Sequence, residues 1–441
     1  MALLQKNKTL ICENLSRTPD GELCLAGQRL APIARKYGTP LYLYDEDRIR
    51  NRCREYLFAV RETFGERGKV LYASKAASFK RLYEIMAEEG MGIDVVSVGE
   101  IYSANKAGYP LERAYFHSNN KTDNDIKTAM DFGVGYFVVD NEEEVIAIDK
   151  EAKKRGKAQK ILLRITPGID PHTYAAVATG KVDSKFGSAI ETGQADAICA
   201  LALSKEGIDL RGFHCHLGSQ VFDSEVYLKA ADVMLGFVAH IEKTQGYKAR
   251  ELDIGGGLGV RYVESQPVLN IGKTVRDVGE YIIAKCRELG IDVPNIAFEP
   301  GRSIVADAGL TVYTVGTVKR ITGYKTYVSV DGGMTDNPRY ALYGSPYTIL
   351  PVERDLGEDT EQVSVVGRCC ESGDILQENI PLPTNIGRGD LLACLTTGAY
   401  HYSMASNYNR IPRPPVVMLK DGETYLAVRR ETPEHLSSLD V

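Results

Sequence analysis

Short apolar runs alternate with amphipathic stretches along the first two thirds of the chain. Eight of these runs predict buried strands, at residues 70–73, 93–96, 114–116, 136–139, 160–165, 210–216, 251–254 and 295–299. Most of the stretches between them predict helices, at residues 78–89, 99–107, 123–131, 142–155, 195–205, 225–243 and 275–289. Eight strands alternating with helices over about 250 residues predict an α/β fold, a (β/α)8 TIM-like barrel. A doubly wound open sheet is the alternative, because periodicity alone does not distinguish the two.

The pattern differs at both ends of the chain. Residues 1–37 show little helical period, whereas residues 41–44 predict a strand and Asp45 predicts the cap of a helix that runs to about residue 64. After residue 306, alternating β-branched and tyrosine residues predict strands, and the turn at 420–423 predicts a hairpin. We therefore predict three parts: a segment 1–37 that packs with the β domain, a barrel at 38–306 and a mostly-β, barrel-like domain at 307–441.

Composition excludes several classes of partner. The 441 residues carry a net charge of −6 without a long basic run, which argues against nucleic acid and anionic membranes. No apolar run has the length of a membrane span, and residues 1–10 lack the apolar core of a signal segment. The nine cysteines have no metal-ligand spacing, so reduced thiols in a cytoplasmic protein are expected.

Lys75 is the first residue that indicates chemistry. It stands just past the first barrel strand, at the carboxyl end where parallel-sheet enzymes place their active sites. A lysine against an apolar floor loses hydration, which favours a neutral amine able to form a Schiff base with an aldehyde. A solvated surface lysine is the alternative.

Polar or glycine-rich motifs follow the last two barrel strands. The run G-G-G-L-G at 255–259 lets backbone N–H groups meet an anion such as a phosphate, although a tight turn would also use glycines. The run E-P-G-R at 299–302 follows the eighth strand. Glu299 could hold a proton on a ring nitrogen and Arg302 could grip a carboxylate, or the two could pair with each other.

Two histidines end the sixth strand. His214 and His216 point the same way along a strand and could bind a metal, but no third ligand suggests itself. A stacking role for one imidazole, with Ser219 on a phosphate, fits better, and no metal is predicted. An aldehyde-binding amine, a phosphate cradle and an acid for a ring nitrogen together match the needs of pyridoxal 5'-phosphate.

The motifs resemble those of a known family. Y-A-S-K at 72–75, H-C-H-L-G-S-Q at 214–220, D-I-G-G-G-L-G at 253–259 and E-P-G-R resemble the alanine-racemase-fold, or fold type III, decarboxylases. Four motifs in the last third narrow the resemblance to the diaminopimelate decarboxylase family: D-G-G-M from Asp331, C-E-S-G-D from Cys370, T-T-G-A-Y ending at Tyr400 and R-R-E-T from Arg429. Ser118 and Val98 stand where that family usually has glycine, and D-S-K-F-G at 183–187 also matches without an assigned role.

The resemblance implies roles for individual residues. Lys75 would form the Schiff base with pyridoxal phosphate, His216 would stack on its ring and Glu299 would pair with its pyridine nitrogen. The residues expected to bind the cofactor are Lys75, His216, Ser219, Gly256, Gly257, Glu299, Pro300, Gly301, Arg302 and Tyr400.

The substrate contacts and the subunit arrangement are also implied. Arg302, Arg339 and Tyr343 would hold a distal carboxylate, and Glu371 would pair with the distal amine. Tyr400 would contact both cofactor and substrate. Cys370 would return a proton to the carbanion, although a thiol beside Cys369 could also be inert. Because the strip with Cys370 and Glu371 reaches the neighbouring subunit's barrel in this family, the resemblance implies a homodimer.

The resemblance implies decarboxylation of meso-2,6-diaminopimelate at its D-centre to L-lysine and carbon dioxide, the last step of lysine biosynthesis. A same-fold decarboxylase of ornithine, arginine or carboxynorspermidine is the alternative, but Glu371 argues against it, since a shorter aspartate typically follows the cysteine there. An inactive relative is disfavoured because Lys75, Glu299 and Cys370 are all present.

Overall fold

The structure is a computed structural model that describes residues 10–169 and 183–441. The chain forms two compact units. The first comprises Met1–Asn51, Val260–Val268 and Ile304–Val441, and the second comprises Arg52–Gly259 and Leu269–Ser303. Residues 1–9, expected to carry no signal segment, and residues 170–182 lie outside the described residues. The domain boundaries at 37 and 306 stay predictions.

The described chain begins with a small antiparallel sheet. Strands β1 (Leu15–Arg17), β2 (Leu23–Leu25) and β3 (Gln28–Arg29) form it, and helix α1 (Leu30–Tyr37) follows directly. The sequence showed little period here because the helix is only eight residues long and carries Pro32 in its first turn, where proline is tolerated. One face of the helix is nevertheless buried, through Leu30, Ala31, Ile33 and Ala34.

Strand β4 (Leu41–Asp45) and helix α2 (Glu46–Phe64) follow in agreement with the sequence. The predicted cap is present, since Asp45 Oδ1 accepts the backbone N–H of Arg48 at 3.0 Å.

The second unit contains all eight predicted barrel strands. They are β5 (Gly68–Ala73), β6 (Gly92–Val95), β7 (Ala114–Phe116), β8 (Tyr136–Val139), β9 (Gln159–Thr166), β11 (Ile208–His214), β12 (Glu251–Asp253) and β13 (Asn295–Phe298), with β10 (Ser188–Ala189) added beside β9. Neighbouring strands are parallel, and β13 pairs with β5 to close the ring. This pairing confirms the barrel and excludes the open sheet.

Helices alternate with the barrel strands as predicted, with ends shifted by a few residues. They are α3 (Lys80–Glu88), α4 (Val98–Lys106), α5 (Asp123–Asp131), α6 (Glu142–Lys154), α7 (Gln194–Leu203), α8 (Glu225–Gln245) and α9 (Ile271–Leu289), followed by the short α10 (Arg302–Val305). Within the described residues, none of the helices combines the length and hydropathy that crossing a membrane would require.

Alternation along the barrel strands sends every second side chain into the barrel. A buried layer of five such side chains spans five strands: Leu71, Tyr115, Val138, Leu162 and Ala297. Two residues further along the same strands, at the carboxyl ends, stand Ala73, His117, Asp140, Arg164 and Glu299. The interior is therefore apolar in one layer and polar in the next.

The first unit is built on a large, mostly antiparallel sheet. Its elements are β14 (Gly309–Arg320), β15 (Thr326–Val330), α11 (Arg339–Tyr343), β16 (Ile349–Pro351), β17 (Thr360–Val366), β18 (Ile375–Pro383), β19 (Leu391–Cys394), β20 (Val416–Lys420), β21 (Glu423–Val428) and α12 (Pro433–Ser437). The strand order is β18-β17-β15-β14-β4-β20-β21, so β4 lies between β14 and β20. The β20–β21 pair confirms the hairpin predicted at 420–423.

Leucines and valines of β4, β14 and β20 form the core of this unit together with the small sheet and α1. The buried set includes Leu23, Leu30, Leu41, Leu43, Leu310, Val312, Val417 and Leu419.

Ser118 provides a stability test, because it has φ +135°, a conformation that side chains rarely adopt. Its hydroxyl also accepts the N–H of Asn120 at 3.1 Å. Ser118→Ala removes this hydrogen bond but keeps the strain, whereas Ser118→Gly removes both. We expect Ser118→Gly to unfold with a free energy about 1 kcal/mol higher than Ser118→Ala in urea titrations.

Asn120 serves as the control for this comparison, since its φ is not positive. There Asn120→Ala should be at least as stable as Asn120→Gly. If the glycine variant were more stable than the alanine variant at both positions, the assignment of strain to Ser118 would be contradicted.

Candidate active site

Lys75 lies beside a buried acid. Its Nζ is 3.2 Å from Asp94 Oδ2. The Asp94 side chain is fully buried and belongs to β6, which pairs with β5, the strand that Lys75 follows. The sequence predicted an apolar floor under this amine, but the ion pair shows that the floor carries a charge. Asp94 was missed although it is the one charged residue of the apolar run 93–96. That interruption was the available signal.

A chain of polar contacts runs from Lys75 across the barrel mouth. His117 Nε2 lies 3.9 Å from Asp94 Oδ1 and 2.8 Å from Glu299 Oε1. Glu299 Oε2 in turn lies 3.1 Å from His214 Nε2. These five side chains come from five different barrel strands or strand ends, and all but Lys75 are buried. The network joins the predicted amine and the predicted ring-nitrogen acid into one site.

Burial and neighbouring charges assign the protons of this network. Burial opposes ionisation of Glu299, but the contacts from His117 and His214 outweigh it and hold the pKa of Glu299 well below its usual range. Burial, together with the charge of Glu299, raises the pKa of the adjacent Asp253 well above its usual range. Burial also lowers the pKa of His214 to about 4, so this imidazole is neutral at pH 7. Glu299 is therefore a carboxylate and Asp253 a neutral acid.

The glycine loop after β12 has no room for side chains. A Cβ at Gly256 would lie 1.9 Å from the backbone oxygen of Glu299, and one at Gly257, which has φ +109°, would lie 2.1 Å from that of Gly218. Gly301 is also tightly packed, since a Cβ there would lie 2.9 Å from that of Ala73. Gly256 and Gly257 are nevertheless partly exposed, so backbone without side chains is available as an anion cradle requires, and the residues present fit a phosphate.

Ser219 and Arg302 meet beside this loop. Arg302 is buried and donates from Nε and Nη2 to Ser219 Oγ, at 3.1 and 3.0 Å. The hydroxyl and guanidinium add donors to those of the backbone, which favours an anion there.

His216 lies between the glycine loop and the amine. Its Nδ1 accepts the N–H of Gly256 at 3.3 Å. Burial, together with the positive charge of Lys75, lowers the pKa of His216 well below its usual range. A neutral imidazole fixed in this way suits stacking on a flat ring. His216 thus contacts Gly256, and Ser219 contacts Arg302.

Arg164, like Asp94 and His117, was not identified from the sequence. It pairs in register with His214 on the neighbouring strand, and its guanidinium carbon lies 4.3 Å from the centre of the Phe186 ring. Burial lowers the pKa of Arg164, while the charges of Asp140, Glu299 and Asp94 raise it. Its position two residues beyond the inward-facing Leu162 was the signal that could have found it.

Three predicted substrate residues lie together in the first unit. The guanidinium carbon of Arg339 is 5.1 Å from the ring centre of Tyr343 and 5.2 Å from that of Tyr400. Arg339 is buried, and its Nε has no hydrogen-bond partner among the described residues. Tyr400 adopts φ +63°, so the backbone is strained where this ring is presented. The cluster is suited to an anionic ligand.

Cys370 and Glu371 lie on an exposed turn of the first unit. The N–H of Cys370 donates to Asn409 Oδ1 at 2.9 Å, and the thiol side is exposed. Its neighbour Cys369 is partly buried, and burial with the charge of Asp374 raises the pKa of Cys369 to about 12. The two adjacent thiols therefore differ, and Cys370 is the accessible one.

Comparison with known proteins identifies the class that this barrel and site define. Residues 46–306 match the family model described as pyridoxal-dependent decarboxylase, pyridoxal binding domain. The chain belongs to the pyridoxal-dependent decarboxylases.

Sequence relatives narrow this class of decarboxylases to one family. The chain is 43% identical to the diaminopimelate decarboxylase of Bacillus subtilis, over 96% of this chain and 95% of that one. It is 42% identical to that of Staphylococcus aureus, over 95% and 97%. The chain therefore belongs to the diaminopimelate decarboxylase family, which confirms the resemblance seen in its motifs.

Solved structures agree with this assignment. Diaminopimelate decarboxylase from M. jannaschii in complex with L-lysine matches with a TM-score of 0.89 at 32% identity, covering 97% of this chain and 98% of that one. The Helicobacter pylori enzyme, also complexed with L-lysine, matches with a TM-score of 0.84 at 31% identity, covering 93% and 99%. A lysine/ornithine decarboxylase from Vibrio vulnificus, at 24% identity and a TM-score of 0.75, shares the fold.

Glu100 allows a test of the site's electrostatics. Its Oε2 accepts the N–H of Val96 at 2.7 Å. Burial, helped by the charge of Asp94, raises the pKa of Glu100 from 4.5 to about 7. The folded chain thus binds this proton more tightly than the unfolded chain, and the resulting stability is complete below pH 4.5 and lost as the pH rises to about 7.

We expect Glu100→Gln to remove this loss, because glutamine keeps the acceptor without the charge. Urea unfolding at pH 5 and pH 8 should show the variant gaining stability relative to the parent at the higher pH. A difference in stability that is the same at both pH values would contradict the raised pKa.

Proposed function

We propose that this protein uses pyridoxal 5'-phosphate to decarboxylate meso-2,6-diaminopimelate at its D-centre, giving L-lysine and carbon dioxide in the last step of lysine biosynthesis. The observation that carries the proposal is the continuous contact chain from Lys75 through Asp94 and His117 to Glu299. It joins an amine to a carboxylate across one barrel mouth, beside the glycine loop. The nine cysteines, none in a disulfide, support a cytoplasmic setting.

Each barrel residue has a part in holding the cofactor. Lys75 supplies the amine that joins it covalently to the chain, and Glu299 holds a proton at the ring nitrogen. His216 stacks on the ring. When bound, pyridoxal phosphate supplies an electron sink for the electron pair of the departing carboxylate. The phosphate is held by Ser219, Gly256, Gly257, Gly301 and Arg302, with Pro300 shaping the loop and Tyr400 as a further contact.

The remaining residues select the substrate and return the proton. Arg302, Arg339 and Tyr343 bind the distal carboxylate, and Glu371 pairs with the distal amine, so that both charges of an amino-acid end are matched. Tyr400 contacts the substrate as well. Cys370 Sγ donates a proton to carbon after carbon dioxide has left. Cys370 and Glu371 are exposed in the single chain, which supports a homodimer in which they complete the partner's site.

Lys75→Ala tests the covalent link. The purified parent protein should absorb visible light through its bound cofactor and release carbon dioxide from meso-diaminopimelate. The variant should lose both, because no other amine of the described network can replace Nζ. Lys80→Ala, at an exposed position at the start of α3, is the control and should keep both. An unchanged visible spectrum in Lys75→Ala would refute the role of this lysine.

Substrate choice separates the proposal from its competitor. Carbon-dioxide release from meso-diaminopimelate should exceed release from ornithine or arginine by at least roughly 100-fold. The reason is that those substrates leave the cations of the distal clamp without a carboxylate. A preference for either of the α-L-amino acids would assign the protein to the other decarboxylases of this fold.

Mixing two inactive variants tests the shared site. Random pairing of Lys75→Ala and Cys370→Ala chains gives half heterodimers, each with one intact site if the site is shared between subunits. Lysine formation should therefore recover to about a quarter of the parent's rate. No recovery in a mixture shown to contain heterodimers would place both residues in the same chain's site.

A further inference from the structure

Glu299 is held by imidazoles. His117 Nε2 and His214 Nε2 each approach a different carboxylate oxygen, at 2.8 and 3.1 Å. The two rings meet nearly edge to face, with centres 4.9 Å apart, and all three side chains are at most 6% exposed. In the part of the chain that the structure describes, no lysine or arginine lies within ion-pair distance of Glu299. Its surroundings are therefore the neutral acid Asp253 and two imidazoles, of which His214 forms a hydrogen bond with Glu299 and His117 only approaches it closely.

His214 can have only one arrangement in this contact. Its Nδ1 is buried without a partner among the described residues, and its Nε2 lies against Glu299. The ring is neutral, since burial lowers its pKa to about 4. A neutral imidazole beside a carboxylate must carry its proton on the nitrogen that faces the oxygen. His214 therefore donates from Nε2 to Glu299.

We propose that His117 and His214 are positioning residues that keep Glu299 an oriented anion, so that it can hold a proton at the cofactor's ring nitrogen. This inference rests on the proposed function and deepens it. The N–H of His214 orients the carboxylate and favours its charged form, and the close His117 ring limits its rotation. A buried carboxylate without a donor takes up a proton itself. Because His214 is neutral, it does not balance the negative charge of Glu299, and that charge remains available to a protonated cofactor ring.

His214 is the cleaner position to test. His117 lies 3.9 Å from Asp94 as well, so its removal would also disturb the Lys75 ion pair. His214 contacts Glu299 alone among the described carboxylates. His214→Leu removes the donor, and His214→Gln replaces it with an amide N–H at a similar distance from the backbone.

The experiment compares two cofactors bound to the same full-length proteins. Chains depleted of cofactor are titrated with pyridoxal phosphate and with its deaza analogue, in which a C–H replaces the ring nitrogen. The preference is the ratio of the affinity for pyridoxal phosphate to the affinity for the deaza analogue. We expect this ratio to be roughly tenfold smaller in His214→Leu than in the parent, which is about the effect of one hydrogen bond to a charged group. His214→Gln should retain the preference. Binding of the deaza analogue should be equal in all three proteins, which also shows that the variants fold.

A matched control and a second readout complete the test. His240 also contacts a carboxylate, Asp196, at 2.6 Å but is half exposed, so His240→Leu should leave the preference unchanged. The 15N chemical shift of labelled bound cofactor should report a protonated ring nitrogen in the parent and in His214→Gln. In His214→Leu the shift should move toward the unprotonated value.

Different failures have different meanings. If the parent protein binds no pyridoxal phosphate, the proposed function fails. If the parent prefers pyridoxal phosphate over the deaza analogue and His214→Leu keeps both the preference and the 15N shift, only the positioning role fails. Stoichiometric zinc retained by the purified holoprotein and lost in His214→Leu would also overturn it, because His117, His214 and Glu299 would then be ligands of a metal.

Discussion

The pairing of the first barrel strand with the last is the constraint on which the site depends. Val70 on β5 lies in register with Phe298 on β13, and the N–H of Ala73 extends the contact to the backbone oxygen of Pro300 at 3.0 Å. Because both strands run in the same direction, their carboxyl ends meet at one edge of the barrel. Lys75 and Glu299, far apart in the chain, are brought to the same edge of the barrel by this pairing.

The barrel mouth also tolerates several buried carboxyl groups in one place. Asp94, Asp253 and Glu299 are all nearly inaccessible to water, where an isolated carboxylate is costly. Each is compensated differently. Asp94 has Lys75, Glu299 has the His214 hydrogen bond and the nearby His117 ring, and Asp253 has a raised pKa and accepts the N–H of Gly255 at 2.8 Å. The distribution of protons in the site is thus set by the protein before any ligand enters.

Local patterns in the sequence predict those parts of the fold that depend on residues close together in the chain. The eight strands, the cap at Asp45 and the hairpin at 420–423 depend on neighbours in the chain, and the structure confirms each of them. Lys75 and Glu299 could be found because they follow apolar runs directly. The pairing of β4 with β14 and β20 could not be found, because it depends on strands more than 250 residues away and an isolated apolar run gives no sign of its partner.

Asp94, His117 and Arg164 were overlooked for a different reason. His117 stands just past a predicted strand and Arg164 near the end of one, where polarity looks like the start of a loop, whereas Asp94 interrupts a predicted strand near its start. Counting two residues from the last apolar inward-facing position places His117 and Arg164 inside the barrel. That count requires knowing which face of each strand is inward. A strand buried on both faces, as in a parallel barrel, does not reveal this by its pattern.

The motif at 183–187 acquires a physical role through Arg164. The hydroxyl of Thr166 donates to the backbone oxygen of Phe186 at 2.7 Å, and the Phe186 ring lies against the Arg164 guanidinium. Gly187 has φ +73°, and a Cβ there would lie 2.8 Å from Thr166 Oγ1 and 3.0 Å from the backbone oxygen of Arg164. Ser188 then pairs with Ile165 in β9. The motif thus holds the end of β9 in place. It also packs against the Arg164 guanidinium, whose charge interacts with Glu299.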